Sequence, residues 1–198
     1  MQQVYDFGRA MLVFVLFAAF AGLSFALAVE LHALPRFAKA GTGIAPANPS
    51  GAADALAGRN LLFPVQGFDR ELRDNFDERR GTRRHEALDI MAPRGTPVLA
   101  VDDGRVAKLF ESAAGGNTLY QFDASGNFAY YYAHLDRYAP GLREGAAVSR
   151  GDVIGYVGST GNAPAGAPHL HFTIFRLGAD RKWWKGEAVN PYPYLAPR

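Results

Sequence analysis

Pro168-His169-Leu170-His171-Phe172-Thr173-Ile174-Phe175 is the stretch on which the fold turns. Leu170, Phe172 and Ile174 alternate with His169, His171, Thr173 and Phe175, the period of a β-strand with one side in a core. Side chains two apart on a strand share a face, so His169 and His171 point the same way, with Cα atoms about 6.5–7 Å apart. One metal site can draw on both; the plainer alternative is a pair of surface histidines without chemistry. The preceding run from Gly158 through Thr160, Pro164 and Gly166 reads as a loop.

Strand-like runs surround this stretch. In Phe128 to Leu135, simple alternation puts Phe128, Tyr130, Tyr132 and His134 on one face, so His134 ends an aromatic row and is either a packed core residue or a site residue. The turn around Ser125-Gly126-Asn127 pairs this run with Asn117 to Phe122. A second hairpin is predicted from Val98–Val101, the turn Asp102-Asp103-Gly104 and Arg105–Phe110. Val148 and Val153–Val157 add further short strands. No long helix is predicted in the folded part, so its fold class is all-β, a compact antiparallel sandwich or barrel-like domain preceded by one N-terminal transmembrane helix.

His85-Glu86-Ala87-Leu88-Asp89 offers an H-x-x-x-D pair. A helix would bring the two together, yet Pro93 and Pro97 stand directly ahead. A straight strand would hold them about 13 Å apart. If they chelate, the segment curls before becoming a strand near Asp89. The run Asp69 to Arg84 alternates charge signs and reads as a solvated loop; the sharper reading makes Arg79, Arg80, Arg83 and Arg84 a cationic rim for a carboxylate-bearing substrate.

The whole chain sets limits on these readings. Its 198 residues suit one domain with attachments, and the absence of cysteine excludes disulfides and thiolate metal sites, leaving His, Asp and Glu as ligands. With 21 basic and 19 acidic residues, the net charge of +2 gives no electrostatic case for nucleic acid. Residues 1–9 are expected to be cytoplasmic. Residues 10–30, in which Ala10 to Val29 is an uncharged, mostly apolar run long enough to cross a bilayer, are read as an uncleaved anchor, with a signal peptide cut at Ala26-Leu27-Ala28 as the rival. Residues 31–60, rich in Ala, Gly and Pro, read as a flexible linker that contains the motif-free His32, and residues 61–198 as the folded domain.

Several separated pieces now fit together. His85-x-x-x-Asp89, Ala92-Pro93-x-Gly95-Thr96-Pro97-Val98, Asp103-Gly104-x-Val106, Tyr132-Ala133-His134-Leu135, Gly155-x-Val157-Gly158-Ser159-Thr160-Gly161 and His169-Leu170-His171-Phe172 occur in the order in which the M23 peptidases carry them. The chain therefore resembles the lysostaphin- and LytM-like zinc endopeptidases of bacterial cell walls. That resemblance implies one Zn²⁺ per domain held by His85, Asp89 and His171, with His134 and His169 as catalytic residues that do not bind it. Of the H-x-H pair, only the second would then be a ligand. Ala87 stands where many members have Gly, and the loop Asn162–Ala167 is unusually rich in Ala and Pro.

The implied activity is hydrolysis of peptide cross-links in peptidoglycan by a zinc-activated water, with no serine or cysteine nucleophile. The expected location is the cytoplasmic membrane, crossed once, with the catalytic domain outside and peptidoglycan as its partner. Two alternatives belong to other classes: a silent M23-like activator of a cell-wall amidase, and a wall-binding scaffold. Such silent relatives typically lack ligands that are present here.

Overall fold

The alternation on either side of His171 builds one extended sheet in a computed structural model that describes residues 55–68 and 72–195. A small hairpin, β1 (Arg79–Arg80) with β2 (Arg83–Arg84), precedes the main strands. These are β3 (Leu88–Met91), β4 (Pro97–Leu99), β5 (Gly104–Ser112), β6 (Gly116–Asp123) and β7 (Phe128–Tyr138). There follow β8 (Ala147–Val148), β9 (Val153–Val157), β10 (His169–Leu177), β11 (Gly186–Val189) and the helical turn α1 (Tyr192–Leu195). Nine strands form a sheet ordered β11-β10-β7-β6-β5-β8, with β3 added on β10 and β9 joining β4 to β7. Every pairing is antiparallel. The domain is thus mostly β with helical turns only, as the sequence predicts. Among the described residues no helix is long and apolar enough to cross a membrane. The expected anchor at 10–30, and most of the linker, lie outside those residues.

The core face of β10 is the predicted one: Leu170, Phe172 and Ile174 are completely buried. They pack with Leu88 and Ile90 of β3 and with Tyr130 and Tyr132 of β7. The polar ends of this core are satisfied, since the Tyr132 hydroxyl donates to Gln121 Oε1 at 2.8 Å and accepts from the Val101 N–H at 3.1 Å. That matters because an unmatched buried polar group would cost ~1–3 kcal/mol.

Two expectations are corrected. Val98–Val101 and Arg105–Phe110 do not form a hairpin: β4 pairs with β9, while β5 pairs along its length with β6. The Asp102-Asp103-Gly104 segment is pinned instead of turning tightly, with the Asp102 carboxylate accepting from the Tyr130 hydroxyl at 2.8 Å and its carbonyl accepting from Gln121 Nε2. His134, second, does not share the face of Tyr130 and Tyr132. Between Tyr132 and Leu135 β7 spends three residue steps where β6 spends two, from Leu119 to Asn117, and His134 takes φ 59°. One extra residue is a β-bulge, which bends a strand and re-aims side chains.

The end of the expected linker also belongs to the domain. Leu56 is fully buried, and Arg59 reaches Asp102 at 2.9 Å and Asp123 at 2.7 Å. The Asp123 side chain is completely buried. Burial alone would raise its pKa, but hydrogen bonds from Ser125, the Phe128 N–H and Arg59 outweigh it and hold the carboxyl below its usual range. Arg59→Ala leaves that charge without its cation and is expected to destabilise the domain by about 2–3 kcal/mol at neutral pH in urea unfolding. A depressed folded pKa contributes stability above the unfolded value, lost as pH falls. The gap between wild type and Arg59→Ala should therefore close as pH drops below about 4.

Candidate metal centre

Antiparallel register places Asp89 of β3 opposite His171 of β10. The Asp89 N–H donates to Asn75 Oδ1 at 3.2 Å and not across the ladder, which makes this a non-hydrogen-bonded pair, the kind whose side chains come closest. His85 enters from a different direction. Glu86 adopts φ 57°, supplying the curl that the H-x-x-x-D pair requires, and Thr173 Oγ1 donates to its carbonyl at 2.7 Å. His85 Nε2, His171 Nδ1 and Asp89 Oδ1 then form a triangle with sides of 3.0, 3.0 and 3.1 Å.

This donor set fits a metal ion. Atoms bonded to one tetrahedral zinc at 2.0–2.1 Å stand about 3.3 Å apart, close to the triangle found, and three protein donors leave a fourth position open. His85 Nδ1 donates to the Asn75 carbonyl at 3.0 Å, so the lone pair on Nε2 faces the triangle. Burial works against the Asp89 charge, yet the contacts with the imidazoles of His171 and His85 prevail and keep the carboxyl well below the usual carboxylate range. Burial likewise opposes charge on both imidazoles: it wins at His171, whose pKa is lowered, while the Asp89 contact prevails at His85 and raises it.

His169 and His134 stand beside the triangle. His169 Nε2 lies 3.7 Å from Asp89 Oδ1, and its ring centroid is 4.9 Å from that of His134. The His134 ring in turn lies 5.6 Å from His171, where the bulge delivers it. Each donates Nδ1–H to a carbonyl 2.8 Å away, His134 to Thr160 and His169 to Ala167. Nε2 is thereby left as the basic nitrogen of both. Burial, and the neighbouring His169 and His171, push the His134 pKa down to about 4, so its imidazole is neutral across the physiological range.

These residues lie along a groove of about 720 Å³, walled by Arg80, Arg83 and Arg84 on one side and by Ala114, Gly115 and the Asn162–Pro164 segment on the other. The Gly158–Gly161 loop is fixed where it meets β7: Thr160 Oγ1 donates to the Leu135 carbonyl at 2.8 Å and accepts from the Asn117 N–H at 3.0 Å. A side chain at Gly158 would overlap the Asp136 backbone, which accounts for that glycine. The arginines are less free than a cationic rim requires. Arg80 pairs with Asp89 Oδ2 at 2.8 Å and with Glu78, and Arg84 pairs with Asp77.

All five residues expected at the site are thus brought together. Asn75 is an addition that sequence reasoning missed, because it carries no motif signal. Arg80, read from the sequence as part of a cationic rim, and Thr160, read as part of a loop, support the site instead.

Residues 83–191 match Peptidase family M23. The chain belongs to that family. It is 35% identical over 120 residues to the L-Ala--D-Glu endopeptidase of Bacillus subtilis, covering 58% of this chain and 35% of that protein. It is also 35% identical over 112 residues to the glycyl-glycine endopeptidase ALE-1 of Staphylococcus capitis, covering 56% and 29%. The matched part is thus about a third of each relative's length. Among solved structures, Helicobacter pylori Csd3 superposes with TM-score 0.55 and 27% identity over 72% of this chain and 34% of that one. M23 members are zinc metallopeptidases, and the triangle of donors is where this member is able to hold a metal.

Metal analysis of purified protein is expected to find one zinc per chain. His171→Ala should weaken zinc binding at least about 100-fold, because it removes a donor itself, whereas His134→Ala and His169→Ala should keep near-stoichiometric zinc. Retention of zinc by His171→Ala together with its loss from His169→Ala would reverse the assignment within the H-x-H pair.

Proposed function

We propose that this protein is a zinc endopeptidase that hydrolyses peptide cross-links of bacterial peptidoglycan. The observation that carries the reading is the convergence of three metal donors and two uncommitted imidazole nitrogens on the floor of one open groove. A silent activator of another enzyme has no need of this set, and a scaffold that used zinc for stability alone would be served by a closed site. The names of the two relatives support the substrate class and differ in the bond: one is an L-Ala–D-Glu and the other a glycyl-glycine endopeptidase. In this chain the choice of bond would rest on the groove segments Asn162–Pro164 and the β1–β2 hairpin, which line the site.

His85, Asp89 and His171 would hold the zinc, which supplies Lewis-acid activation of water and of the scissile carbonyl when bound. The remaining work falls to side chains on the groove floor. His134, neutral because its pKa is depressed, can accept the proton of an attacking water at Nε2. His169, oriented by the Ala167 carbonyl, presents its own Nε2 to the same space. Once protonated, an imidazolium donates from Nε2, either to the oxygen that gains charge or to the departing amine. Their Nδ1 partners are backbone carbonyls, which fix the rings without adding a charge.

Purified cross-linked wall fragments of defined chemistry, with products identified by mass, test the reading. Wild-type protein should cut them, lose activity on chelation and regain it with zinc. His169→Ala and His134→Ala should each lose about 100- to 10,000-fold in turnover while retaining metal. Full activity in metal-free protein would sink the proposal.

The apolar run at residues 10–30 motivates the cellular part of the proposal, a domain held outside the cytoplasmic membrane. The intact chain is expected in the membrane fraction. A mature N-terminus near Val29 would show a released enzyme instead.

A further inference from the structure

We infer that Asn75 is the positioning residue of the His85–Asp89–His171 triangle, bracing two of its three members from a single point in the chain. The inference rests on the metal reading given above. The Asn75 backbone carbonyl accepts the His85 Nδ1–H at 3.0 Å, and its side-chain Oδ1 accepts the Asp89 N–H at 3.2 Å. Outside the triangle itself, no other described residue hydrogen-bonds to both His85 and Asp89.

Each bond removes a different freedom. The first fixes the ring rotation and tautomer of His85, so that Nε2 presents a lone pair and not a proton. The second acts on the backbone of β3, a strand of four residues whose pairing partner is β10. Asp89 sits in a non-hydrogen-bonded position there, so its N–H gains nothing from the ladder, and Asn75 Oδ1 holds that edge in place. Arg80 completes the arrangement on the carboxylate, binding Oδ2 at 2.8 Å and leaving Oδ1 to the triangle.

The brace is itself anchored. The Glu78 N–H donates to the Asn75 carbonyl at 3.2 Å, closing a turn. Next to it, Asp74 Oδ1 accepts the Phe76 N–H at 3.2 Å, and the Asp74 carboxylate accepts from Asn190 Nδ2 at 3.2 and 3.1 Å. Asn190 Oδ1 takes the Tyr192 N–H at 2.9 Å, at the start of α1. A segment that reads as solvated charge in the sequence is therefore a strut between the end of the domain and the metal centre. Groups that orient ligands in this way typically account for about 10- to 100-fold in metal affinity.

The test is zinc affinity of the full-length protein by competition with a chromogenic chelator. Asn75→Leu keeps the size and removes the side-chain acceptor, and Asn75→Ala does so with less bulk, guarding against a packing failure in either one. Both are expected to bind zinc about 10- to 100-fold more weakly than wild type, with unfolding midpoints of the metal-free proteins close to the wild-type value. Asn75→Asp restores an acceptor at the same place and is expected to bind at least as tightly as wild type. Zinc binding by Asn75→Leu and Asn75→Ala within about threefold of a zinc-replete wild type would overturn this inference alone. So would a loss in Asn75→Asp equal to theirs. Wild-type protein that takes up no zinc would overturn the metal reading, and this inference with it.

Discussion

A carboxylate kept charged inside a pocket needs partners, and Asp89 is the point to which the rest of this domain is tied. Its side chain is only 12% exposed, and removing such a charge from water costs several kcal/mol unless it is matched. The matching groups come from separate places: His171 from the central strand, His85 from the curl before β3, and Arg80 and Asn75 from the segment ahead of that curl. Strand pairing brings the first, and the other three require the chain to double back over the sheet edge. The order of elements around Asp89 is therefore dictated by charge as much as by hydrophobic burial.

The core answers to a different demand and meets it on the opposite face of the same strands. Leu170, Phe172 and Ile174 supply apolar surface, while His169, His171 and Thr173 turn toward the site or its supports. Thr173 shows how closely the two faces cooperate: almost fully buried, it uses its hydroxyl to hold the Glu86 carbonyl and hence the curl that aims His85. The chemistry stands on rigid strands, and the groove walls are a short hairpin and a loop. Such a division lets the wall segments change without disturbing the strands that carry the floor.

What could be read from the sequence follows the range of the forces involved. The alternation in β10 is local, and it revealed both the strand and the shared direction of His169 and His171. The prolines after Asp89 excluded a helix and so required the curl that Glu86 supplies. Pairing choices were not legible: Val98–Val101 and Arg105–Phe110 look like hairpin arms, but β5 pairs with the strand that follows it, β6, and β4 finds its partner far along the chain in β9. Asn75 was invisible for a related reason. Its importance comes from two hydrogen bonds to residues ten and fourteen positions away, and no periodicity encodes those.

The bulge in β7 works as a phase shift. Ahead of it the core receives even-numbered residues, Tyr130 and Tyr132; beyond it the core receives an odd one, Leu135. Removing a single residue between Tyr132 and Leu135 would restore strict alternation, and with it send Leu135 toward solvent. Aiming His134 at the groove and keeping Leu135 in the interior are two readings of one insertion, so lineages that shed this histidine by deletion would also forfeit part of the core. Replacing the histidine leaves the core intact, whereas shortening the strand does not.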